Sequence, residues 1–111
     1  MSLTHMSAGQ RVYKTETIGP LSADDSDVSL PASLIGGTLY CVEVKTSADD
    51  AITFTIKSHL GSTMLTGTTS GATSGEYIDA NRYRPINGLP TYTLAGLGSG
   101  TATIEVTVWI T

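Results

Sequence analysis

Residues 102–110 alternate apolar and polar side chains without interruption. Successive side chains of a β-strand point to opposite faces, so this pattern predicts a strand with one buried row and one outer row. The predicted buried row consists of Ile104, Val106, Val108 and Ile110. The outer row consists of Thr103, Glu105, Thr107 and Trp109, which places the single tryptophan of the chain on the face that meets solvent or a partner.

The same period of two runs through most of the chain, and no stretch sustains a helical period. Strands are predicted at 12–18, 27–30, 37–45, 52–58, 63–66, 91–95 and 101–110. Their inward rows are predicted to contain Tyr40, Val42 and Val44, then Ile52, Phe54 and Ile56, then Tyr92 and Leu94. Many short strands at this spacing predict an all-β, antiparallel two-sheet sandwich with either Greek-key or jelly-roll connections.

The connecting segments are rich in Gly, Pro, Asp and Asn, the residues that favour turns. Two of them, 45–52 and 96–100, are predicted to be hairpin turns. The segment 66–75 lacks large apolar residues and is predicted to be an exposed connecting loop, with a ligand-binding loop as the alternative.

A chain of 111 residues predicts one domain, here 12–111, that folds without a disulfide framework. Residues 1–11 show no usable alternation and are predicted to form a flexible or docking N-terminal arm, whose Leu3 and Met6 are candidates for contact with a neighbour.

Charge and cysteine content exclude several classes of protein. The net charge is −4 and charged residues make up 14%, which argues against binding to nucleic acid. No segment has the length and apolar character of a membrane span, so no membrane partner is expected. Cys41 is the single cysteine, so it cannot form an intramolecular disulfide, and folding in a reducing cytoplasm is expected.

Residues with catalytic or metal-binding potential are present but are not arranged as known sites. His5 and His59 have no metal-ligand spacing. The segment 24–27 contains three aspartates but lacks the glycine and the late glutamate of a calcium loop, so a solvated turn is the favoured interpretation. Neither paired catalytic carboxylates nor a nucleophile elbow is evident. The sequence therefore predicts that the protein is not an enzyme and binds no cofactor or metal.

The segment Asn81-Arg82-Tyr83-Arg84-Pro85 concentrates arginine and tyrosine, which are enriched at protein interfaces. The alternative is a loop in which Tyr83 covers the edge of the core while the arginines pair with Asp79 or Glu76. Trp109 has a similar alternative, as a cap beneath a folded-back loop. The predicted interface residues are Leu3, Met6, Arg82, Tyr83, Arg84 and Trp109.

Two segments, 30–40 (LPASLIGGTLY) and 88–104 (GLPTYTLAGLGSGTATI), resemble small virion proteins of tailed phages. In length, acidity and architecture the chain is similar to the capsid-decorating staple proteins of epsilon-fifteen-type short-tailed phages. The resemblance implies a β-sandwich, similar to a jelly roll, that sits outside the icosahedral shell and ties neighbouring capsid subunits together.

The resemblance also implies partners and a location. The major capsid protein would be the partner, with self-association as a dimer on the capsid surface, and the protein would be made in the host cytoplasm. One alternative is a tail or head-to-tail connector component, which would be present in few copies per particle. Another is a carbohydrate-binding module in which Trp109, Tyr83 or Tyr77 stacks on sugar rings.

Overall fold

The computed structural model describes residues 12–71, 73–80 and 82–110. The predicted arm, with Leu3 and Met6, lies outside the described residues. The elements are β1 (Tyr13–Leu21), β2 (Asp25–Ser29), a short 3-10 helix (Ala32–Leu34), β3 (Thr38–Thr46), β4 (Thr53–Lys57), β5 (Thr63–Thr68), β6 (Glu76–Asp79), β7 (Thr91–Ala95) and β8 (Ala102–Trp109).

The eight strands form two antiparallel four-stranded sheets, which confirms the predicted sandwich. The first sheet has the order β1-β8-β3-β6 and the second has the order β2-β7-β4-β5. Eight antiparallel strands in this order are those of a jelly roll, in which the chain passes repeatedly from one sheet to the other. Among consecutive strands, β4 and β5 alone share a sheet.

The two predicted hairpins are therefore wrong. Residues 45–52 join β3 to β4, and residues 96–100 join β7 to β8, and in both cases the two strands belong to different sheets. Glycine and aspartate support a tight change of direction in either kind of connection, so their presence does not distinguish a hairpin from a crossing between sheets.

The core lies between the sheets and is filled by the inward rows of both. The predicted β8 residues Ile104, Val106 and Val108 are fully buried, as are Ile52, Phe54 and Ile56 of the β4 row. Ile110 was placed in the same row wrongly, because β8 ends at Trp109 and Ile110 is 50% exposed beyond it. The Ile110 N–H still donates to the Val12 carbonyl at 2.9 Å, so backbone pairing continues to this residue although its side chain is not buried.

Tyr40 was also predicted wrongly as an inward residue. The register with β8 shifts between Leu39, which faces Val108, and Cys41, which faces Thr107. This β-bulge adds one residue to β3 and resets its alternation, so that Leu39 and Val42 point inward while Tyr40 points to the outer face.

The strand β6 was missed by the sequence analysis, and the preceding segment is less exposed than expected. The sequence Glu-Tyr-Ile-Asp of β6 buries Ile78 alone, which leaves too little alternation to recognise. Within the predicted exposed loop, Thr69 is only 2% exposed, donates its N–H to the Ile52 carbonyl at 2.8 Å and accepts the Ile52 N–H on its hydroxyl at 3.1 Å.

Candidate functional site

Four aromatic rings meet on the outer face of the first sheet, and we call them the ring cluster: Tyr13, Tyr40, Tyr83 and Trp109. Tyr13 and Trp109 are directly opposite in the β1–β8 register, and β3 lies on the other side of β8. The bulge in β3 turns Tyr40 onto the same face, where its ring stacks on the indole at a centroid distance of 5.2 Å. The sheet thus assembles three of the rings from three neighbouring strands.

Tyr83 comes from the connection between β6 and β7, which runs beside the start of β3. The Leu39 N–H donates to the Arg84 carbonyl at 3.0 Å, and the Ile86 N–H donates to the Gly37 carbonyl at 2.8 Å. These bonds hold the Tyr83 ring edge-on against the indole, with centroids 4.8 Å apart. The connection therefore covers part of Trp109, as expected for the folded-back loop that was the alternative to an exposed tryptophan.

The ring cluster is covered in its centre and open at its margins. Trp109 and Tyr40 are partly buried, whereas Tyr13 is 46% and Tyr83 is 50% exposed. The pKa of Tyr40 is raised chiefly by the neighbouring phenol groups of Tyr13 and Tyr83 and to a smaller extent by burial, so the Tyr40 hydroxyl stays neutral at physiological pH. The cluster is thus an aromatic surface with two rings accessible to a partner.

The two arginines beside Tyr83 contact a different surface. Arg82 and Arg84 are exposed and line a groove of about 210 Å³ together with Asp79 and residues of β5. Within the described residues, neither guanidinium has a hydrogen-bond or salt-bridge partner, so the predicted alternative of pairing with Asp79 or Glu76 is not observed. Glu76 instead accepts hydrogen bonds from the N–H and hydroxyl of Ser70.

Two aspartates in the connections at the other end of the sandwich have structural roles. The Asp24 carboxylate accepts the N–H groups of Gly96 and Leu97 at 3.1 and 2.9 Å. The Asp50 carboxylate accepts the Gly98 N–H at 3.1 Å. These bonds join the β1–β2 and β3–β4 connections to the β7–β8 connection, and the described residues contain no group of three His, Cys, Asp or Glu placed to hold a metal ion.

Sequence reasoning identified half of the ring cluster. Tyr83 and Trp109 were predicted to be interface residues, whereas Tyr13 and Tyr40 were not. Tyr13 lies in the same exposed row of β1 as Thr15 and Thr17, and this shared row was a usable signal that its side chain points to the outer face. Tyr77, a candidate sugar platform, is 66% exposed on β6 and has no ring contact with the cluster.

Comparison with protein-family models gives no match to this chain, and comparison with curated protein sequences gives none either. The described part of the chain contains no helix long and apolar enough to cross a membrane.

Proposed function

We propose that this protein decorates the outside of an icosahedral phage capsid and staples neighbouring capsid subunits against the pressure of the packaged DNA. The proposal starts from the resemblance of residues 30–40 and 88–104 to small phage virion proteins. The jelly roll is compatible with it, since this fold is frequent in viral capsid proteins, but the same fold also occurs in lectins and cupins. The fold alone therefore does not carry the function.

The observation that carries the proposal is the ring cluster. Tyrosine and tryptophan are among the residue types in which binding energy concentrates at protein interfaces, and here they pack together outside the core. Tyr13 and Tyr83 are about half exposed beside a partly buried indole, so their rings are the part of the cluster that a partner can reach. We assign this surface to the contact with the major capsid protein or with a second copy of the chain.

Copy number in purified particles tests the proposal most directly. A decoration protein would be present in hundreds of copies per particle, whereas a tail or connector component would be present in few. A low copy number would overturn the stapling role while leaving a virion role open. A carbohydrate-binding module would be absent from particles and would give signals on a glycan array.

Binding to capsids stripped of the protein tests the surface. Tyr83→Ala should lose more than about 2 kcal/mol of binding free energy, roughly a thirtyfold loss of affinity per site. Tyr77→Ala is the matched control, because Tyr77 is more exposed on the same sheet but outside the ring cluster. Equal binding by both variants would contradict the assignment of the ring cluster.

A further inference from the structure

We propose that the open edge of β5 accepts an extended, acidic segment of a partner protein as an added strand, with the carboxylates of that segment paired to Arg82 and Arg84. The proposal concerns a different surface from the ring cluster and does not depend on the capsid role. It combines an uncharged sheet edge with a groove that carries two arginines, neither of which has a hydrogen-bond or salt-bridge partner among residues 12–71, 73–80 and 82–110.

The four free edges of the two sheets differ in how they discourage pairing with another chain. Edge strands commonly avoid such pairing through charges, proline, short length or irregular backbone. The β1 edge contains Pro20 and directs Lys14 and Glu16 to the inner side of the sheet. The β2 edge contains Asp25 and Asp27 and has a register shift. The β6 edge is only four residues long and has a charged residue at each end. The β5 edge has the sequence Thr-Met-Leu-Thr-Gly-Thr, which contains neither a charge nor a proline. Its own register shift lies between Thr63 and Leu65, and the ladder from Leu65 to Thr68 is regular.

The backbone of β5 presents the groups that an added strand needs. Hydrogen-bonded pairs alternate along an antiparallel ladder, and the Thr69 N–H bonds to the Ile52 carbonyl. In this register Thr66 and Thr68 are non-hydrogen-bonded partners of β4, a position that agrees with the 2.8 Å hydroxyl contacts they make with Thr55 and Thr53. The N–H and C=O groups of Thr66 and Thr68 therefore point away from β4, toward the open edge.

The arginines define the charge of the segment that would fit. The groove beside β5 is lined by Thr63, Met64, Leu65, Thr66, Asp79, Arg82 and Arg84. Its formal charge is +1, in a chain whose net charge is −4. Arginine pairs with carboxylates through two parallel hydrogen bonds, so two unpaired guanidinium groups favour a strand that carries acidic side chains.

The same charges argue against two occupants from this protein. Two β5 edges paired with each other would bring four arginines together. Residues 1–11 contain no Asp or Glu and end in Arg11, so the arm of a second copy lacks the complementary charge. The occupant is therefore an acidic segment of another protein.

The test uses the full chain, labelled with ¹⁵N, and a capped peptide with the sequence Thr-Glu-Val-Glu-Val-Thr. We expect the peptide to shift the amide resonances of Thr66 and Thr68 and to bind at least about tenfold more weakly to Arg82→Gln and Arg84→Gln, since charge-assisted hydrogen bonds are lost. A peptide with Gln in place of Glu should be weakened similarly. Thr66→Pro should abolish binding, because it removes an N–H from the open edge.

Thr15→Pro is the matched control, because the bond from the Ile110 N–H to the Val12 carbonyl places the Thr15 N–H on the open edge of β1. It should bind the peptide like the native chain. If Thr66→Pro fails to fold, a peptide N-methylated at alternate amides tests the same backbone bonds from the other side and should not bind. The proposal is overturned if no peptide binds, if backbone blocking has no effect, if free glutamate reproduces the shifts, or if the added peptide pairs with another edge.

Discussion

The contribution of the ring cluster to folding stability can be measured separately from its contribution to binding a partner. Trp109 is the residue for which we expect the largest effect on folding stability. Trp109 has three ring partners, with centroids 4.8, 5.2 and 6.1 Å away. Each aromatic pair contributes about 0.5 to 1.5 kcal/mol beyond area burial. Because the indole is partly rather than fully buried, we expect Trp109→Ala to lower the free energy of unfolding by about 2 to 4 kcal/mol, below the upper range for buried aromatics.

Tyr83 is half exposed and has two ring partners, so Tyr83→Ala should cost about 1 to 2 kcal/mol. The double variant should cost less than the sum of the single changes by about 0.5 to 1.5 kcal/mol, because the Tyr83–Trp109 contact is lost in either one. Urea unfolding followed by circular dichroism in the far ultraviolet measures all of these values without a tryptophan signal. Tyr77→Ala should change stability by no more than about 0.5 kcal/mol.

Additive losses, or a Trp109→Ala cost below about 1 kcal/mol, would refute the role of the rings as a connected cluster. A tryptophan exposed on the outer row, as the sequence predicts, would lose binding on truncation to alanine with little loss of stability. The structure changes this expectation, because Tyr13, Tyr40 and Tyr83 of the same chain already pack on the indole. Tyr83→Ala is consequently the better variant for testing the interface.

Two further predictions concern the core. The pKa of Tyr92 is raised above its usual value near 10, chiefly by burial and to a smaller extent by the charge of Asp25 and a hydrogen bond to it. The stabilisation by the neutral phenol is therefore complete below pH 10 and is lost as pH rises through the raised pKa. The stability difference between the native chain and Tyr92→Phe should therefore shrink in urea unfolding at increasing alkaline pH, and a constant difference would contradict the shift. A Cβ on Gly67 would lie 2.7 Å from Ile78 Cγ2, so Gly67→Ala should destabilise by about 1 to 3 kcal/mol. Combining it with Ile78→Ala should relieve part of this cost, and a full additive loss would show that the close approach is not its cause.

The sequence predicted seven of the eight strands, most clearly β3, β4, β7 and β8, which bury alternate side chains, and β1, in which exposed and half-buried side chains alternate. The residues that defeated prediction share one property, namely that their positions depend on pairing between distant segments. Tyr40 points outward because of a bulge that exists only in the register with β8. The β6 strand exists because residues 76–79 pair with β3, not because of their own pattern.

The candidate site was predictable to a similar extent. Residue type and alternation identified Tyr83 and Trp109 as outer aromatic residues. Bringing them together with Tyr13 and Tyr40 required the strand order of the first sheet, which no local pattern contains. The groove at β5 was not predicted, because it depends on how Asp79, Arg82 and Arg84 approach the edge of the other sheet.

The position of the last strand has a consequence for how the protein is made. In the first sheet β8 lies between β1 and β3, so β1 leaves the ribosome without its partner in the sheet until β8 is synthesised. Pairing between segments so far apart in the chain is slow, and the unpaired strands stay exposed while it is completed. A ribosome that stops before residue 102 would release a chain that contains β1 through β7 but cannot close its first sheet. Translation that terminates before β8 is made should therefore yield aggregated or degraded protein rather than a shortened, functional domain.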